Sequence, residues 1–272
     1  MELLIILTAL LTLTSADKHC RGVNIDDKYY NLNIIKEGIS HIHDLVVNRN
    51  DNSIYFTFED VTEQKFPQNR LGHIDIETKV AKIIDGIINA TAIAIDNFNN
   101  KVYIGGSNGI YRFNEQKLPD RLPIQDDVIS MHYKNGLYFV NRRNEAYKFE
   151  DGFATPVPEL QGVKVDRLII DDDNNIFFTR EKKLFRVKLG TRAINTHESH
   201  VANFIATDNY ARTYLCTDKG LYVYNKYKFV FDRKGDLRNL KALSFGKMNE
   251  LVYAVADYIV KLSLSSLGCF ED

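Results

Sequence analysis

Apolar and polar residues alternate at a spacing of two along most of the chain, in short runs broken by Asp, Asn and Gly. That period predicts strands, and no stretch carries an amphipathic helical pattern longer than two turns. One unit recurs six times: an apolar strand, a polar turn, an aromatic and β-branched strand, a second turn, and a third alternating strand. In the first copy Asp44-Leu-Val-Val leads through Asn48-Arg-Asn-Asp-Asn into Ile54-Tyr-Phe-Thr-Phe. In the second, Ala92-Ile-Ala-Ile leads through Asn97-Phe-Asn-Asn into Val102-Tyr-Ile-Gly. The second strands begin at Ile54, Val102, Leu137, Ile176, Thr213 and Leu251. These starts are roughly 35 to 48 residues apart, the period of four-stranded propeller blades, with an insertion around Val61 to Asn69 in the first interval. The Asn-Gly, Asp-Asn and Asn-Asn turns suit hairpins, because these residues accept positive φ.

The fold expected is therefore all-β, a six-bladed β-propeller. The sixth unit supplies three strands, so its fourth is expected from Tyr30 to Lys36, closing the ring with an N-terminal strand. A pair of β-sandwiches would account for the strands but not for their regular spacing. Residues 1–16 read as a signal peptide: Leu3 to Leu13 is apolar apart from threonines, and Thr14, Ser15 and Ala16 suit cleavage before charged Asp17 and Lys18. The usual basic residues at the start of such a segment are missing. The alternative is a buried N-terminal element. Residues 17–272 are then one secreted, extracellular propeller domain.

Composition narrows the partners. The chain has 35 basic and 36 acidic residues, and Glu2 is the only charged residue of the leader, so the rest is neutral. A neutral chain has no long-range attraction for nucleic acid or an anionic membrane. No later apolar run is long enough to span a bilayer, and a monomer is expected. With 15 Tyr and 16 Phe the chain can build a large core.

Of the three cysteines, Cys216 lies in an apolar strand and reads as buried and reduced, whereas Cys20 and Cys269 flank the domain. In a secreted protein these two are expected to bridge, which fits an N-terminal strand beside the last blade. Pairing of either with another molecule is the alternative. Asn89-Ala90-Thr91 is a candidate glycosylation site at Asn89.

In a propeller, the loops joining second to third strands and those leading into first strands ring one mouth of the central channel. Candidate ligand-binding residues there are Ser107, Asn141, Arg142, Arg143, Arg167, Arg180 and Asp218. Arg forks suit carboxylate or sulfate, and neighbouring aromatics suit a flat ligand. For each single Arg the plainer reading is a solvated turn residue or an ion pair with a neighbouring Asp.

Enzyme signatures are weak. Gly105-Gly-Ser107-Asn-Gly109 spells a nucleophile elbow, but a strand, Ile110 to Phe113, follows where that motif needs a helix. His41-x-His43 and His197-x-x-His200 lack a further ligand at a recognisable spacing. Asp171-Asp-Asp-Asn-Asn lacks the glycine of a calcium loop and reads as a turn. No cofactor motif is present, and none is expected.

With its Cys20-Arg21-Gly22-Val23 start, repeated Asp/Asn turns before Ile-Tyr-Phe and Val-Tyr-Ile-Gly, and Gly268-Cys269-Phe270 end, the sequence resembles the ommochrome-binding proteins of insect haemolymph. The resemblance covers most of the chain. It implies a non-enzymatic carrier whose ligand is an ommochrome, a planar, acidic, tryptophan-derived pigment such as ommatin D. It carries over no ligand residues. Blade texture is also similar to the regucalcin and gluconolactonase group. A calcium-dependent lactonase or esterase, with Glu59, Asn141 and Asp218 as candidate metal ligands, is therefore the first alternative. An extracellular protein-interaction module is the second.

Overall fold

The computed structural model describes residues 22–61 and 68–266. The leader, Cys20 and Cys269, and with them the expected disulfide, lie outside the described residues. Within them the chain is all-β apart from one helical turn at Pro158–Leu160.

Two strands come first, Gly22–Ile25 (β1) and Lys28–Lys36 (β2). The next four are Ile42–Asn48 (β3), Ser53–Asp60 (β4), Gln68–Asp75 (β5) and Ala81–Ile84 (β6), forming one antiparallel sheet in chain order. Ala92–Asp96 (β7), Lys101–Gly106 (β8), Gly109–Phe113 (β9) and Pro119–Arg121 (β10) form the second. Val128–Tyr133 (β11), Leu137–Asn141 (β12), Ala146–Glu150 (β13) and Phe153–Pro156 (β14) form the third. Arg167–Ile170 (β15), Asn175–Arg180 (β16), Lys183–Lys188 (β17) and Asn195–Val201 (β18) form the fourth. Phe204–Thr207 (β19), Thr213–Cys216 (β20), Leu221–Asn225 (β21) and Val230–Gly235 (β22) step outward in the same way. Ala242–Phe245 (β23), Leu251–Val255 (β24) and Tyr258–Leu264 (β25) do so too, with β2 as their fourth strand.

Pairing of β2 with β25, for example Leu32 opposite Leu262 and Ile34 opposite Val260, puts the Tyr30 to Lys36 segment beside the last strand. The strand β1 was not read from the sequence. It pairs with β2 along its length and touches β22 through Ile25 and Gly235, so the last two groups form one nine-stranded sheet.

Burial orders the strands. All of β7 is buried, whereas β14 at the outer edge of its sheet is fully exposed. Apolar residues concentrate where neighbouring sheets meet: Tyr55 and Leu71 of the first pack with Ile93 and Ile104 of the second. Tyr138 and Val140 of the third pack with Leu168 and Phe178 of the fourth. Each such large side chain contributes roughly 1.5–3 kcal/mol on burial. The inner strands β3, β7, β11, β15, β19 and β23 lie side by side in that order, and β23 lies against β3, where Val47 N donates to Ser244 Oγ at 3.0 Å.

The hairpin between first and second strands explains the repeat. Asn52, Asn100, Asn135, Asn174, Ala211 and Asn249 occupy the equivalent turn position, each with φ between 50° and 63°. Asparagine tolerates that left-handed geometry better than most residues. The residue closing the first strand caps the turn: Oδ1 of Asp96 accepts from the backbone of Phe98 and Asn99, and Oδ1 of Asp208 from that of Tyr210 and Arg212. Adjacent turns are tied together. Arg49 N donates to Asn97 Oδ1 at 3.0 Å, and Asn209 Nδ2 donates to Gly246 O at 2.7 Å.

Cys216 is buried and free, as the sequence suggested, and burial pushes its thiol pKa up. Two half-buried histidines matter for acid stability. His132 on β11 and His197 on β18 each have a buried Nε2 without a partner, and burial pushes both rings down to about 4. The unfolded chain titrates near 6.5. Between those values the unfolded state binds protons that the folded state refuses, so stability present above about pH 6.5 is lost as pH falls towards 4. The urea midpoint is expected to drop between pH 7 and pH 5, and His197→Asn should flatten that slope. An unchanged midpoint would remove both rings as the cause.

Candidate functional site

A cavity of about 240 Å³ is lined by residues of β3, β7, β11, β15, β19 and β23 and of the turns that follow them. Its wall is apolar at mid-height, with Ile93, Ile95, Met131, Ile169, Leu243 and Phe245 among the lining residues.

Where the first strands begin, the cavity is crossed by an ion pair. Asp44 on β3 is 1% exposed, and its Oδ1 accepts from Arg167 Nη1 of β15 at 3.2 Å. The same carboxylate accepts from the backbone N–H of Leu45 at 3.1 Å and of Ile93 at 2.9 Å. The Arg167 guanidinium lies 4.0 Å from the centroid of the Phe204 ring. Carboxylate, guanidinium and ring thus lie together at this end of the cavity.

Where the first strands end, the lining is different. Arg49, Asn97, Lys134, Thr207 and Asn209 face the cavity from the turns. Lys134 Nζ is held by the Asp171 carbonyl. Arg49 is half-buried, its guanidinium has no acceptor among the described residues, and burial pulls its pKa down. A partly desolvated cation without a counter-ion is costly, and an oxyanion at this mouth would relieve it. Asp96, beside this mouth, keeps a carboxylate pKa below the usual value despite burial, through bonds from Asn99, Tyr133 and Phe98.

The residues singled out from the sequence do not converge. Arg167 alone lines the cavity, and there it is committed to Asp44. Arg142 pairs with Asp127 at 2.6 Å, and Arg143 with Glu145 at 3.1 Å. Arg180 lies 5.1 Å over the Phe185 ring. Asn141 is buried and caps its own loop, accepting from the backbone of Arg143 and Glu145. Ser107 Oγ donates to Ile88 O at 3.3 Å, and Asp218 is exposed in the loop after β20. Asn89 is exposed, as a glycan acceptor must be.

Among the described residues, no group of three or more His, Cys, Asp or Glu is placed to hold a metal. Glu59, Asn141 and Asp218 stand outside the cavity, and Glu59 pairs with His41 at 3.0 Å. The acidic run at Asp171 is a turn: its carboxylate accepts from the backbone of Asp173 and Asn175, and Lys226 pairs with both Asp172 and Asp173. Sequence reasoning missed Arg49 and Lys134 because it treated Asn48 to Asn52 and Lys134-Asn-Gly136 only as turns. The available signal was a long cationic side chain at the position where the second copy carries Asn97 and the fifth Asn209.

No protein-family profile matches the chain. It is 25% identical over 253 residues to the ommochrome-binding protein of Manduca sexta, covering 90% of this chain and 91% of that one. The resemblance read from the sequence thus holds over nearly its whole length. A gluconolactonase from Xanthomonas campestris superimposes with a TM-score of 0.69 at 10% identity, covering 91% of this chain and 96% of that chain. The WD40 β-propeller domain of Doa1 does so with a TM-score of 0.58 at 11% identity, covering 90% and 98%. These likenesses show the fold, a β-propeller. No helix among the described residues is long and apolar enough to cross a membrane.

Proposed function

We propose that this protein is a secreted, monomeric, non-enzymatic carrier of an ommochrome pigment, built on a six-bladed propeller. In this reading the nine-stranded sheet is two blades joined by β1, and β2 closes the ring as the fourth strand of the last blade. The name of the Manduca relative motivates the ligand class. The observation that carries the site is Arg49, a half-buried guanidinium without an acceptor among the described residues, at the mouth of an apolar cavity.

The cavity's 240 Å³ is less than the roughly 300–1,000 Å³ of pockets that enclose a drug-sized molecule. The pigment therefore lies across the mouth with part of its flat body inserted, and an acidic group accepts hydrogen bonds from Arg49. Asn97, Asn209 and Tyr133 line the same cavity and supply surface for the rest of the pigment. Asp44 already has donors from two strands and from Arg167, so it is not free to activate a water or hold a metal.

Titration with an ommatin should give a saturable change in visible absorbance near one equivalent. A charge-assisted hydrogen bond contributes about 1.5–3 kcal/mol, so Arg49→Ala should weaken binding roughly 10- to 100-fold. Arg142→Ala, on the other side of the ring, should leave it unchanged. Equal affinity in wild type and Arg49→Ala would move the site elsewhere. Hydrolysis of a lactone that stops on chelation would replace the carrier reading with the enzymatic one.

A further inference from the structure

A second cavity, of about 340 Å³, lies between the outer halves of the fourth and fifth strand groups. It shares no lining residue with the central one. At its floor Arg186 of β17 sits between two rings, 5.6 Å from the Tyr224 centroid and 5.2 Å from that of Phe229. The guanidinium donates one N–H to Tyr224 Oη and has no carboxylate partner among the described residues. A guanidinium carries five N–H donors, so four have no acceptor among the described residues. Lys188, at the end of the same strand, also has no ion-pair partner among them. The acid in the lining, Asp173, shares Lys226 at 3.3 Å with Asp172 at 2.8 Å, so these three side chains together carry one negative charge. With half-buried Arg186 and exposed Lys188 added, three cations face two carboxylates, and the charge around the cavity is net positive.

The wall opposite is held in an unusual way. Phe229 has a φ of 58°, the one large apolar side chain among the described residues with a left-handed backbone. A bulky side chain is disfavoured there, and Gly or Asn would close this turn with less strain. The turn itself is fixed by Asn225, whose carbonyl accepts from Phe229 N at 2.8 Å and whose Oδ1 accepts from Tyr227 N. Phe229 is still 61% exposed, so burial does not offset that strain in full. What the ring does is cover the guanidinium and leave a flat apolar surface facing the cavity.

We propose that this cavity is a second ligand site, for a flat aromatic oxyanion. Its carboxylate or sulfate oxygens accept from Arg186 and Lys188, and its ring lies against Phe229. The site stands on its own residues and does not depend on the channel mouth.

The test is calorimetric titration of the full chain with naphthalene-2-sulfonate, with naphthalene-2-methanol as the neutral counterpart and sodium sulfate as the bare anion. A binding event is expected that Arg49→Ala leaves intact and that Arg186→Ala weakens at least tenfold, about the effect of one charge-assisted hydrogen bond. Phe229→Gly should weaken the same event roughly three- to tenfold while raising Tm, because glycine relieves the backbone. Naphthalene-2-methanol should not produce it. Wild-type affinity in folded Arg186→Ala would overturn the proposal, as would loss of the only event in Arg49→Ala. Should Arg186→Ala fail to fold, wild-type affinity in Phe229→Gly overturns it equally. Sulfate binding as tightly as the naphthalene sulfonate would remove the aromatic half of the site and overturn the proposal as stated.

Discussion

Asp44→Ala is expected to lower stability by about 3–5 kcal/mol, the cost of breaking a buried ion pair from one side. The carboxylate is 1% exposed and serves three donors on three strands: Leu45 N on β3, Ile93 N on β7 and Arg167 on β15. Alanine would leave two backbone N–H groups unsatisfied. It would also leave the Arg167 guanidinium, whose side chain is 19% exposed, without its counter-ion. For a chain of this size the fall in Tm should be on the order of 10 °C. Asp44→Leu combined with Arg167→Met should recover much of the loss, because the partner's desolvation penalty disappears with its charge. Denaturant unfolding of the single and double variants measures both. A loss below about 1 kcal/mol for Asp44→Ala would mean that the pair is solvated and does not hold the inner strands together.

Gly109→Ala should be nearly as damaging, while Ser107→Ala should be almost silent. Gly109 has a φ of 131°, and a Cβ there would stand 2.1 Å from the Ile124 carbonyl oxygen. Backbone strain of this kind costs about 1–3 kcal/mol, and the clash adds to it, so a loss on the order of 3 kcal/mol is expected. Ser107 makes one exposed hydrogen bond to Ile88 O, and its removal should change stability by no more than about 0.5 kcal/mol. The glycines of the Gly105-x-Ser107-x-Gly109 string therefore serve the β8–β9 hairpin and the approach of the next connection. Gly105 likewise has Val128 where its Cβ would be, at 2.7 Å. A thermal melt reads the contrast between the two variants. Loss of an ester-hydrolysing activity in Ser107→Ala would restore the nucleophile reading.

Strand order was legible because each copy writes its own turn. Asn at 52, 100, 135, 174 and 249 marks the same left-handed position, and only Ala211 departs from it. The Tyr30 to Lys36 segment was legible by elimination, since the last copy lacked an outer strand. The four-residue β1 gave no signal, because its partners are fixed by position and not by pattern. Arginine function was the least legible. Arg142, Arg143 and Arg167 look alike in sequence, yet Arg143 finds Glu145 in its own loop, Arg142 finds Asp127 in the connection before β11, and Arg167 finds Asp44, 123 residues away. Arg49 was hidden in a run of turn formers. What distinguishes it is the absence of an acceptor among the described residues, which no local spacing reveals.

The partnership of β2 with β25 has a consequence in time. Translation delivers Lys28–Lys36 early, and its mate Tyr258–Leu264 roughly 230 residues later, which at about 5–20 residues per second is a delay of some 10–45 s. Every other sheet neighbour of the inner strands can form its hairpins as it emerges. During that delay β2 presents an unpaired backbone edge together with Leu32 and Ile34, which are still 44% and 47% exposed in the finished protein. An unpaired strand of that kind is an aggregation hazard. A message cut short anywhere before codon 258 would leave it permanently without its mate. Such products should be recognised as incomplete by whatever reads open strand edges, even when most of their sheets are intact.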